Sequence, residues 1–152
     1  MSLVNTDLIR VGMIEDSAES SIRTLAGMML DAGLVRDSFA ESVISREKTH
    51  PTGIPARVFD IAIPHTMAEH VICPGMAVGV LTKAVEWRQM GSPDIILHPQ
   101  VIFMLAISDA SKQIGQLKKI MKLIQSDNLL TMIKNALHAS EVADLLAPVL
   151  TE

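Results

Sequence analysis

Three short apolar runs in the middle of the chain constrain its fold more than any other feature. They are VFDIAI (residues 58–63), MAVGVL (76–81) and VIFMLAI (101–107). Each has the length of a strand, and each is bounded by Pro, Gly or Asp, residues that interrupt pairing or turn the chain. Segments of helical period bracket them. On the N-terminal side Ile22, Leu25, Ala26 and Met29 recur at three- and four-residue spacing, and Gly33 follows as a stop. Ser38-Phe39-Ala40-Glu41 is a capping-box pattern, in which Ser and Glu satisfy backbone N–H groups reciprocally. It predicts a helix to about Lys48 with Phe39, Val43 and Ile44 on its buried side.

On the C-terminal side three more stripes follow. Ile114, Leu117, Ile120, Met121 and Ile124 form the first, with Ser108-Asp109 or Ser111 available to cap it. Leu129, Leu130, Ile133 and Leu137 form the second, and Val142, Leu145, Leu146 and Val149 the third. Val85-Glu86-Trp87 reads as a weaker hairpin or edge strand. Residues 90–99, with Gly-Ser-Pro-Asp and His-Pro, read as loop, and the residues before the first helix as a polar lead-in. No repeat or linker divides the chain, so residues 1–152 are expected to form one domain. The order helix-helix, strands, helices predicts an α/β (α+β) fold, because a sheet with helices on its faces buries every stripe.

Composition narrows the class. The single cysteine, Cys73, excludes an internal disulfide and suits a reducing compartment. A lone cysteine is either a nucleophile or small buried filler, and the second reading is adopted. No apolar run approaches the roughly 18 residues needed to cross a bilayer. No charged leader with a following apolar segment opens the chain. A cytoplasmic location is expected. The net charge of −4 argues against a nucleic-acid partner, which wants a basic face. The apolar residues include 10 Met but 3 Phe, 1 Trp and no Tyr. Most of the Met are expected to fill core, while Met67 and Met76 are candidates for an adaptable docking rim.

The chemistry concentrates in IPHT. Pro64 has no N–H to extend a ladder, so pairing is expected to stop there and leave His65 at the strand's mouth. Neutral imidazole is a nucleophile that needs no metal to attack phosphorus. A solvent-facing or capping histidine is the other reading. Thr66 offers a hydroxyl beside it. If residues 66–71 were helical, His70 would point about 140° away from His65. His65, His70 and His98 match no standard zinc spacing, so no metal is expected. Arg46 is either a phosphoryl clamp or a solvated helix-end charge.

Taken together, REKTHPTGI (46–54), IAIPHT (61–66) and LAISDASKQIGQLKKIMKLI (105–124) resemble the fructose/mannitol-type enzyme IIA domains of the bacterial phosphoenolpyruvate-dependent sugar phosphotransferase system. Pro51-Thr52-Gly53-Ile54, a second histidine five places after the first, and Gln116 before Leu117 resemble its galactitol branch. Many mannitol- and fructose-type members have His-Leu where this chain has Gln116-Leu117. The resemblance implies a mixed, roughly five-stranded sheet flanked by helices. It implies that His65 accepts a phosphoryl group from phospho-HPr and passes it to a cysteine of enzyme IIB. Enzyme IIC would then be served indirectly at the membrane, with no cofactor and no direct sugar contact. Arg46, Thr66 and Gln116 would hold the phosphoryl oxygens, and His70 would orient His65 or touch the group. A regulatory module of the same family, signalling by its phosphorylation state, is the alternative the resemblance leaves open.

Overall fold

A computed structural model describes residues 5–150. The expectation of one domain over residues 1–152 extends beyond that span at both ends. The described chain runs β1 (Ile9–Met13), α1 (Ala18–Asp31), α2 (Phe39–Thr49), β2 (Gly53–Pro55), β3 (Asp60–Ala62), β4 (Gly75–Leu81), β5 (Trp87–Gln89), β6 (Ser92–Leu97), β7 (Pro99–Ala106), α3 (Gln113–Ile124), α4 (Asp127–Asn135) and α5 (Ala139–Leu150).

The α/β class holds, but the sheet has seven strands rather than five, in the order β1-β4-β7-β3-β2-β5-β6. Three strands, β1, β2 and β6, are the ones pattern alone misses. β1 lies in what reads as a polar lead-in, and it pairs parallel to β4 with Ile9 opposite Val78. β2 is three residues long and exists because Ile54 pairs with Ile61 of β3. Residues 90–99 are not a loop: they contain β6, hairpinned to β5 through Trp87 and Leu97. β6 carries Pro93, and its place at the sheet edge is where a missing N–H is tolerated.

β7 shows why the sheet sits in the middle. It is antiparallel to β4, and the pair is buried on both faces. Val101, Phe103 and Leu105 point into one core, with Ile61, Val78, Ile120, Leu130 and Leu146, beneath α3, α4 and α5. Ile102, Met104 and Ala106 point into the other, with Leu25, Met29, Phe39, Val43 and Trp87, beneath α1 and α2. Period-two alternation on a strand thus feeds two helical layers at once. Fully burying a side chain such as Phe103 contributes about 1.5–3 kcal/mol before entropy is subtracted.

The helix expectations hold unevenly. Ile22, Leu25, Ala26 and Met29 are buried on α1, and Gly33 ends it with φ of 77°. α1 also has a true capping box, Ser17 with Ser20. The box expected at Ser38 does not form. Ser38 has helical dihedrals and no side-chain cap bond, while Glu41 pairs with Arg23 at 2.7 Å. On α3 the buried residues are Ile120, Leu123 and Ile124, whereas Ile114 and Met121 are exposed. No side chain caps α3; Asp109 instead accepts from the N–H and hydroxyl of Ser111 in a preceding 3-10 turn. Leu137 falls after α4 and is exposed. Met76 is core rather than rim, Met67 is exposed, and Cys73 is exposed rather than filler.

Candidate functional site

β3 and β7 run parallel, so both end at the same edge of the sheet. His65 follows β3 there, and the chain that enters α3 follows β7. The ladder of β3 stops at Ala62, but two further bonds anchor the segment. The Ile63 N–H donates to the Thr52 carbonyl at 3.2 Å, and the Pro64 carbonyl accepts from Leu105 N–H at 3.0 Å. Proline ends donation, as expected, yet its carbonyl still pairs. His65 is therefore not an exposed imidazole hanging from a strand; it is 4% exposed.

The ring's state follows from its partner. Nδ1 lies 2.8 Å from the Ile63 carbonyl oxygen. A carbonyl can only accept, so Nδ1 carries the hydrogen and, in the neutral ring, Nε2 carries the lone pair. Burial pushes the imidazole below its ordinary pKa of 6.5, and the nearby Arg46 charge adds to that; the Ile63 bond opposes them without prevailing. The ring is thus held neutral, and its Nε2 has no hydrogen-bond partner among the described residues.

α2 supplies the surroundings. Ser38, Ser42 and Arg46 recur at four-residue spacing, so they share one side of the helix start and body. Ser38 Oγ lies 2.7 Å from His70 Nδ1. Ser42 and Thr66 share a hydroxyl–hydroxyl hydrogen bond. Arg46 stands close enough to lower the pKa of His65. One helical stripe therefore bonds His70 and Thr66, and its charge acts on His65. Arg46 Nε is buried and has no hydrogen-bond partner among the described residues. An unmet buried donor costs about 1–3 kcal/mol, and a guanidinium N–H is chemically suited to an anionic oxygen.

Of the residues expected from sequence, His65, Arg46 and Thr66 come together. His70 ends a 3-10 turn, Ala68–His70, and bonds Ser38. Gln116 is half-buried in the first turn of α3, at the same sheet edge, and no hydrogen bond joins it to His65, Thr66 or Arg46 among the described residues. His98 lies exposed between β6 and β7, its N–H donating to Asp60. Sequence reasoning missed Ser38 and Ser42, although the four-residue spacing to Arg46 was a visible signal. It also missed what Glu47 does: its carboxylate accepts from the Thr52 N–H at 2.7 Å, from the Thr52 hydroxyl at 2.9 Å, and from the Trp87 indole N–H. Among the described residues no group of three His, Cys, Asp or Glu is arranged to hold a metal ion, and no helix is long and apolar enough to cross a membrane.

This fold is that of phosphotransferase-system IIA domains. The crystal structure of IIA mannitol from Escherichia coli matches with a TM-score of 0.77 at 20% identity, covering 95% of this chain and 99% of that one. The complex of IIA mannitol with phosphorylated enzyme IIB mannitol from Escherichia coli gives 0.77 at 19% identity, covering 95% and 97%. The chain itself belongs to the family described as "Phosphoenolpyruvate-dependent sugar phosphotransferase system, EIIA 2", which matches residues 2–148. A relative, the galactitol-specific EIIA component of the system in Escherichia coli K12, is 27% identical over 126 residues, 82% of this chain and 83% of its own length. Membership makes the chain a transferase component of a sugar phosphotransferase system.

Proposed function

We propose that this chain is a cytoplasmic phosphocarrier that receives a phosphoryl group from phospho-HPr on Nε2 of His65. It then delivers the group to a cysteine of enzyme IIB, in support of uptake of a galactitol-like polyol. In the first step the Nε2 lone pair forms the new N–P bond as the donor's N–P bond breaks, and the donor imidazole leaves with that electron pair. The ring gains positive character, which the Ile63 carbonyl beside Nδ1–H offsets. In the second step a thiolate forms an S–P bond as the His65 N–P bond breaks. Both steps are displacements in which positioning and charge stabilisation do the catalysis.

The observation that carries this reading is a buried, neutral His65 whose Nε2 has no partner among the described residues, within the electrostatic reach of Arg46, whose buried Nε likewise has none among them. Arg46 would bind the phosphoryl oxygens, Thr66 would donate its hydroxyl, and Gln116 would add an uncharged amide donor from α3. His70 would act as a neighbour of the group rather than its acceptor. The IIB partner is suggested by the complex of the mannitol relative, and the polyol by the galactitol-specific relative. Sugar would be met by the IIB and IIC components, so no sugar contact is assigned here.

The test is phosphotransfer from phosphoenolpyruvate through enzyme I and HPr, with the product mapped by mass. One acid-labile, alkali-stable phosphoryl group on His65 is expected, and none in His65→Ala. Unchanged labelling of His65→Ala would overturn the assignment.

A further inference from the structure

Glu47 binds groups from two other segments. Besides its own helix α2, it reaches the loop before β2 through Thr52 and strand β5 through Trp87. Every partner is a donor: the Thr52 N–H, the Thr52 hydroxyl, and the Trp87 indole N–H. All three converge on Oε1, and the Thr52 hydroxyl also lies 2.9 Å from Oε2. Ionisation makes these bonds charge-assisted, and an amide would lose that charge and the second acceptor. Holding the charge here is unfavourable, since burial pushes the Glu47 carboxyl above its ordinary pKa against the pull of Thr52, Trp87 and Arg46. A buried charge is a poor route to stability compared with an apolar side chain. Its presence points to placement of something else.

What it places can be followed atom by atom. Glu47 holds Thr52, and the Thr52 carbonyl accepts the Ile63 N–H at 3.2 Å. The Ile63 carbonyl then accepts from His65 Nδ1 at 2.8 Å. The loop has no slack beside Thr52. The Gly53 carbonyl accepts from Met90 N–H at 2.8 Å, and a Cβ on Gly53 would stand 2.5 Å from the Arg88 carbonyl oxygen.

We propose that Glu47 is a positioning residue for phosphoryl transfer. Through Thr52 and the Ile63 carbonyl it fixes the His65 ring with Nδ1 protonated and Nε2 presented to the incoming phosphorus. The inference rests on the phosphocarrier reading for the word transfer, but the placement of the ring is measurable without any phosphate.

The experiment compares wild type, Glu47→Gln, Thr52→Val and a control, Glu41→Gln, whose carboxylate on the same helix pairs with Arg23. Ring nitrogen chemical shifts report the His65 tautomer. Emission of Trp87, the single tryptophan of a chain without tyrosine, reports the strap. The expected result is a mixture of tautomers in Glu47→Gln. Its acceptance from phospho-HPr should slow about tenfold to a hundredfold at saturating donor, the scale of a small misplacement of reacting atoms. The donor concentration at half-maximal rate should stay unchanged, because docking is untouched. Thr52→Val should move the same way by less, and it decides the matter if Glu47→Gln does not fold. A folded Glu47→Gln with altered Trp87 emission but a wild-type His65 tautomer and rate overturns the proposal. Wild type that takes no phosphate on His65 overturns the functional proposal instead, and the tautomer still tests the strap.

Discussion

Ser38 Oγ and His70 Nδ1 lie 2.7 Å apart, joining the start of α2 to the 3-10 turn that follows His65. The same turn is tied down by the Arg36 N–H donating to the His70 carbonyl at 2.9 Å and by an isolated bridge between Val35 and Val71. A serine that reads as a helix cap thus spends its hydroxyl on the second histidine. This assigns His70 a partner of its own, separate from the carbonyl that holds His65.

His70→Gln tests that separation. Glutamine retains a polar group for Ser38, so His65 labelling should persist with its rate changed by less than about threefold, a loss below the ~1 kcal/mol of one net hydrogen bond. Mass-mapped phosphotransfer checks it. Loss of His65 labelling would instead make His70 part of the chemistry.

Arg46 should trade stability against function. Arg46→Met removes a buried Nε with no partner among the described residues, but also the charge that favours ionised Glu47. The stability gain in urea unfolding should therefore fall short of the about 1–3 kcal/mol of an unmet donor. Phosphoryl acceptance should fall about a hundredfold, the scale of losing one donor to a developing anion. The His65 pKa, followed by ring proton shifts, should rise toward 6.5 as the neighbouring positive charge goes.

The pH dependence has a defined sign. His65 is held below its ordinary 6.5 by burial first and by Arg46 second. Between 6.5 and the lower folded value, the unfolded chain takes a proton that the folded chain refuses. The stability contribution is therefore present above 6.5 and is lost as pH falls toward the folded pKa. Urea unfolding at a series of pH values should show this slope in wild type, reduced in His65→Gln. For the same reason the phosphoryl-acceptance rate should reach its half-value below pH 6.5, because neutral imidazole persists there.

Gly53→Ala should be costly without touching the reacting groups. The added Cβ would meet a backbone oxygen of β5 at 2.5 Å, which cannot swing aside as a flexible side chain can. Overpacking of this kind costs about 1–3 kcal/mol, read as a lower urea midpoint. The displaced Thr52 should also shift Trp87 emission, since both bond Glu47.

The elements legible in the sequence are those whose pattern is carried locally. α1 and α2 bury the residues their spacing names, and β4 and β7 follow from continuous apolar runs. β1, β2 and β6 were not legible in that way. Their residues become strands because of what lies alongside: Val78 for Ile9, Ile61 for Ile54, Trp87 for Leu97. Three paired residues such as Gly53–Pro55 have too short a pattern to announce themselves.

The site divides along the same line. The sequence by itself placed His65 after a strand stopped by Pro64, with Arg46 near a helix end, because proline chemistry and helical spacing act over a few residues. Only the tertiary structure decided that His65 is buried, which nitrogen keeps the lone pair, and that Ser38 and Ser42 bond His70 and Thr66 while the Arg46 charge acts on His65. The physical reason is that a ring's tautomer and pKa depend on the atoms it meets. Glu47, Thr52 and Trp87 reach His65 through pairings between segments up to forty residues apart.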